Sequence, residues 1–225
     1  ISRLEALDDR RLLARALAAR AQGGYLETSP EAQAWNSAAL AGAMRAGDDV
    51  RFAEVAANQL GLVASEPAAR ELWLRLGEAA LERDAGADHD PVRAKLLTNY
   101  GNALRSEGRF AEAEAMHREA LALRRRDPAA QIQIADSLFN ISAVLAAQGR
   151  VAEARPLAHE AIEIWERALG SQHPRMLTGL GNLALMAEVT ADYVEADALA
   201  TRALALARAL RGEGHPDVAR YSALL

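Results

Sequence analysis

Asn140-Ile141-Ser142-Ala143-Val144-Leu145-Ala146-Ala147-Gln148-Gly149-Arg150-Val151-Ala152-Glu153-Ala154 is the stretch that decides the fold. Before the glycine, Leu138, Ile141 and Leu145 recur at helical spacing. Gly149 supplies a residue that tolerates a left-handed conformation where the chain must reverse, and an alanine-rich helix follows it. The same order stands 41 residues earlier as Asn99, Gly108-Arg109 and Glu112-Ala113, and 42 residues later as Asn182, Ala191-Asp192 and Glu195-Ala196. A connector recurs as well, Gly170-Ser171-Gln172-His173-Pro174 and Gly212-Glu213-Gly214-His215-Pro216, again 42 apart. Asparagine, turn, small residue and connector in one register constitute a repeat.

Composition agrees. The 225 residues include 53 Ala and 32 Leu but only 20 Val, Ile and Thr together, which favours helices and leaves little material for a sheet. The expected fold class is all-α, a right-handed α-solenoid of antiparallel helical hairpins. The longest uncharged runs, such as Ser137–Gly149, have 13 residues, short of the ~18 of a membrane span. The absence of cysteine excludes disulfides, thiol catalysis and thiolate metal sites and fits a reducing compartment. A net charge of −5 argues against a nucleic-acid footprint. The chain starts at Ile1 without a secretory signal and stops at Leu225 within a repeat, so a piece of a longer cytoplasmic protein is expected.

Three well-formed units are expected over 91–216, at about 91–130, 131–173 and 174–215, with a further repeat opening at 216–225. Pro91, Pro174 and Pro216 open helices, where a missing N–H costs nothing; Pro156 falls early enough in its helix to be tolerated. Ala113/Ala154/Ala196 and Ala120/Ala161/Ala203 lie two turns apart on one face of each second helix, where a methyl-sized residue lets helices approach closely. Residues 1–90 carry degenerate hairpins, with helices expected at about 3–22, 31–46, 49–64 and 67–84.

This pattern resembles the tetratricopeptide repeat, in the longer 42-residue version of kinesin light chains and bacterial signalling proteins. It departs from that pattern at Ala191-Asp192, which replaces Gly-Arg, and at His117, Ala158 and Ala200, where a large aromatic often sits; looser packing is expected there. The stretches Met44–Asp49, Leu72-Trp73-Leu74 and Leu96–Gly101 resemble the repeat region behind the catalytic domain of bacterial serine/threonine protein kinases. The resemblance implies a non-catalytic protein-interaction scaffold in a larger cytoplasmic signalling protein. A structural or oligomerising solenoid of another regulator is the alternative.

Catalytic, cofactor and metal sites are not expected. His173 and His215 recur in His-Pro connectors, which points to turn geometry, and His117 and His159 lack partners at metal-ligand spacing. Kinase signatures and a phosphate loop are missing from the sequence. Arg124-Arg125-Arg126 closes a second helix, where cations complement the helix dipole, or else forms a docking surface for acidic groups. Trp35, Trp73 and Trp165 read as inter-helix packing residues.

In the resembled family the first helices line a groove, where an asparagine bonds the backbone of a bound extended peptide. The matching positions are Asn99, Asn140 and Asn182, with Asn102 one turn further in the first unit. An amide satisfies both peptide N–H and C=O. The alternative for these asparagines is a structural bond to a neighbouring helix. Lys95, Thr98 and Arg105 make the first unit of the groove mildly basic, Asp136 makes the second mixed, and Thr178 belongs with Leu185 and Glu188 to a neutral-to-acidic third. The expected partner is a protein or extended peptide, with self-association as a further mode, and neither nucleic acid nor membrane insertion.

Overall fold

The structure, a computed structural model, describes residues 40–44, 47–62, 67–84 and 88–224. The expected helix at 3–22, most of that at 31–46, and Trp35 lie outside them. Among the described residues every regular element is helical. They divide into two compact units, one reaching to Leu123 and one starting at Arg124.

The first unit contains helical residues 40–44, α1 (Asp49–Leu62), α2 (Pro67–Arg83), α3 (Asp90–Ser106) and α4 (Phe110–Arg124), whose last residue opens the second unit. The Asp48 carboxylate accepts the Arg51 N–H at 2.9 Å and so caps α1. Helix α1 packs on both α2 and α3. Phe52, Ala56, Leu60, Trp73, Leu76 and Leu96 form the centre of that core. Arg83 bonds Asp49 at 2.6 Å, and the buried Arg70 pairs with Glu107 just past α3. Burial lowers the pKa of the Arg70 guanidinium, with Tyr100 opposing.

The second unit runs through α5 (Gln131–Ala147), α6 (Val151–Leu169), α7 (Pro174–Val189), α8 (Tyr193–Arg211) and α9 (Pro216–Ser222). Helix α5 packs on α6, α6 on α7, α7 on α8 and α8 on α9, and the first helices α5 and α7 also touch. Chain order therefore equals packing order, as in a repeat stack. Pro156 lies inside an unbroken α6.

The turns explain the register. At Gly108, Gly149 and Ala191 φ is positive. In each case the next N–H reaches back to close the helix end: Arg109 to Leu104 O, Arg150 to Leu145 O and Asp192 to Ala187 O, at 2.9–3.0 Å. Ala191 holds this left-handed conformation with a Cβ, at a cost of roughly 1–2 kcal/mol. The His-Pro connectors have an equally local cause. His173 Nδ1 accepts the Arg175 N–H and His215 Nδ1 the Asp217 N–H, each at 3.2 Å, so the imidazole caps the helix that the proline opens.

The small-residue register is buried as expected: Ala113, Ala120, Ala154, Ala161 and Ala203 are fully enclosed, and Ala196 nearly so. Position 117/158/200 is fully enclosed too. His117 fits because Gly101 faces it, and a Cβ on Gly101 would come within 2.9 Å of its Cε1. Trp73 and Trp165 are core residues. Arg124, in the last turn of α4, donates to Gln133 O at 3.0 Å and Ser137 Oγ at 2.6 Å, fastening the start of α5.

Candidate functional site

Helical spacing places Asp136, Asn140, Ala143 and Ala147 on one stripe of α5, and Thr178, Asn182, Leu185 and Val189 on the matching stripe of α7. Asn140 and Asn182 are half-buried, and neither side chain makes a hydrogen bond among the described residues. Their amides sit on two first helices that touch. Thr178 is exposed beside them.

The α3 residues of the first unit are arranged differently. The Asn99 amide donates to Ala57 O of α1 at 2.8 Å, a bond between two packed helices. The Thr98 hydroxyl donates to Ala94 O within its own helix at 2.7 Å. Lys95 and Arg105 are exposed and Asn102 is half-buried. Thus the three asparagines of one register differ: Asn99 holds helices together, and the amides of Asn140 and Asn182 are uncommitted.

Asp136 is anchored. It accepts the Trp165 Nε1–H at 3.0 Å and pairs with Arg175 at 3.2 Å, while the Trp165 ring packs on Phe139 with centroids 5.1 Å apart. Burial pushes the Asp136 carboxyl above its ordinary range, and Arg175, the Trp165 N–H and Arg124 work against that rise. Burial likewise lowers the pKa of the Arg124 guanidinium.

Exposed apolar side chains gather at the third hairpin: Leu185 and Val189 on α7, with Tyr193 and Val194 opening α8. A cavity of about 230 Å³ lies beside them, lined by Ala184, Glu188, Tyr193, Ala196, Asp197 and Leu224. Its distinctive residues were visible in the sequence through the register. Tyr193 stands where Phe110 and Val151 open the earlier second helices, and Asp197 where the preceding hairpin has Arg155. Among the described residues no group of three or more His, Asp or Glu is placed to hold a metal, and no helix is long and apolar enough to cross a membrane.

The geometry defines a class first: antiparallel helical hairpins packed in chain order, with first helices presenting polar and apolar stripes. Two tetratricopeptide-repeat family models match, over residues 93–126 and 133–209, and the chain carries tetratricopeptide repeats there. Such repeats are generally non-catalytic and build protein–protein interaction scaffolds. No curated protein matches the chain significantly. Among solved structures it is similar to BtubC (BKLC) from P. vanneervenii, with a TM-score of 0.72 at 20% identity over 88% of this chain and 82% of that one. It is also similar to a putative kinesin light chain with nearly identical TPR-like repeats from Podosopora anserina, with a TM-score of 0.61 at 21% identity over 78% of this chain and 83% of that one. These likenesses concern the all-α repeat fold.

Proposed function

We propose that this chain is a non-catalytic interaction module that holds an extended peptide segment of a protein partner across α5 and α7. Asn140 and Asn182 bond the peptide backbone, and Thr178, Leu185 and Val189 meet its side chains. The observation that carries this reading is the pair of uncommitted amides on touching first helices. An unpaired amide offers donors and an acceptor to any peptide backbone without demanding a sequence. On α3 the exposed Lys95 and Arg105, with Thr98 and Asn102, form a second, mildly basic stretch that suits an acidic segment. In this reading residues 1–90, of which 1–39 lie outside the described residues, are degenerate hairpins, and 91–216 hold the well-formed units. The module belongs to a larger cytoplasmic bacterial signalling protein of the serine/threonine kinase kind, on the resemblance of residues 44–101.

The test is a selection of displayed random peptides on the whole chain, followed by affinity measurement on the best binders. Asn140→Ala/Asn182→Ala is expected to weaken them at least about tenfold, as is N-methylation of the contacted peptide bonds. Unchanged affinity in the double variant overturns the reading.

A further inference from the structure

Asn140 and Asn182 can hold one peptide together only if the distance between them stays fixed. An extended chain advances about 3.3 Å per residue, so a shift of that order between α5 and α7 takes one amide out of reach of its peptide group. Yet these two helices merely touch, because α5 packs on α6, and α7 on α6 and α8. What joins them directly is Asp136 with Arg175, 3.2 Å apart. Among the described residues no other hydrogen bond or ion pair runs from α5 to α7.

Both ends of this bridge are fixed. Asp136 also accepts the Trp165 Nε1–H from α6 at 3.0 Å, and the Arg175 N–H donates to His173 Nδ1 at the start of α7. Asn140 follows Asp136 by one helical turn, and Asn182 follows Arg175 by two. In register the bridge belongs to this junction alone. The matching positions on either side hold Lys95 with Gln133 and Thr178 with Asp217, and neither combines opposite charges. The side chains of Asp136 and Arg175 are 28% and 42% exposed, so their attraction adds little to stability. Its consequence is geometric.

We propose that Asp136 and Arg175 are positioning residues of the peptide groove, their ion pair setting the spacing at which Asn140 and Asn182 engage one segment. The proposal rests on the groove reading and adds what tunes it. Arg175 acts through Asn182 and does not itself bond the peptide.

Spin labels test the spacing with no peptide present. The chain has no cysteine, so Ala147→Cys/Val189→Cys puts one label on each helix, at exposed positions in the same register. The distance distribution is expected to be narrow with the native pair, clearly broader with Arg175→Met, and close to native with Arg175→Lys. Affinity for the selected peptides is the second readout. Arg175→Met and Asp136→Asn should each weaken binding about three- to tenfold, and the double variant no more than either, because all three break one bridge. Asp136→Asn keeps an oxygen for the Trp165 N–H, so the urea midpoint at pH 7 should not fall with the affinity. An unchanged distance distribution in Arg175→Met overturns the proposal. So does binding that Asp136→Asn leaves intact while Arg175→Met weakens it, which would mean that the guanidinium bonds the peptide itself. A distribution that broadens as expected, with peptide affinity indifferent to Asn140→Ala/Asn182→Ala, overturns the groove reading and upholds the spacing role, so the two failures are distinguishable.

Discussion

The guanidinium of Arg155 on α6 lies 2.9 Å from the carboxylate of Asp192 in the α7–α8 turn, so the second helix of one hairpin holds the turn of the next. In the two earlier turns the corresponding residue is an arginine that pairs locally, Arg109 with Glu112 at 2.6 Å and Arg150 with Glu153 at 2.7 Å. At the third turn the arginine is lost and Arg155 supplies the cation from the neighbouring hairpin.

Arg155→Gln is therefore expected to lower the urea midpoint at pH 7. The hydrogen bond from Arg155, then the Glu195 backbone N–H, hold the Asp192 carboxyl below its ordinary value of 3.8. A depressed folded-state pKa contributes stability above the ordinary value and loses it as pH falls through the folded one. The gap between the parent and Arg155→Gln should accordingly narrow in acid below that point. Urea titrations at the two pH values check this, and a gap that widens in acid contradicts it.

Ala191 takes φ +59° where Gly108 and Gly149 take the same conformation without a Cβ. Ala191→Gly should relieve roughly 1 kcal/mol of strain. Glycine's larger unfolded-state entropy returns about half of it, leaving a gain near 0.5 kcal/mol. Gly149→Ala, the reverse change, should cost about the same 0.5 kcal/mol. Chemical denaturation of both variants gives the comparison.

These turns also mark how far the sequence could be read. Hairpins, the alanine register and the His-Pro connectors follow from local chemistry repeated at a fixed period, so residue spacing alone carries them. The division among the asparagines does not, because Asn99 meets a carbonyl 42 residues away in a less regular hairpin while Asn140 and Asn182 have none. Asp136 resembled a groove residue by register, yet its carboxylate is held by Trp165 and Arg175 from two other helices. Long-range partners of this kind depend on side-chain reach across packed helices, which spacing within one helix cannot encode.

His117 and Gly101 form a volume pair. In the next two hairpins the corresponding residues are Ser142 with Ala158 and Ala184 with Ala200, a larger first-helix residue with a smaller second-helix one. Gly101→Ala would bring a methyl group within 2.9 Å of the His117 ring and should cost roughly 1–3 kcal/mol. Gly101→Ala/His117→Ala recreates the pairing of the third hairpin and should recover most of that loss. Failure of the second substitution to rescue the first would show that the glycine is needed for something other than the ring.

Asp136 provides a pH signature of opposite sign to that of Asp192. Burial dominates its environment and lifts its folded-state pKa above the ordinary 3.8, even with Arg175, Trp165 and Arg124 pulling the other way. A raised carboxyl pKa means that the folded state holds the proton more tightly than the unfolded chain does. Ionisation therefore costs stability, from zero below 3.8 to its full value above the folded-state pKa. Asp136→Asn keeps an oxygen to accept the Trp165 N–H but has no charge to desolvate. Relative to the parent, the variant should gain stability as pH rises from 3 to 7, and thermal unfolding across that range measures the slope. A variant that instead loses ground with rising pH would mean that attraction to Arg175 and Arg124 outweighs the cost of burial.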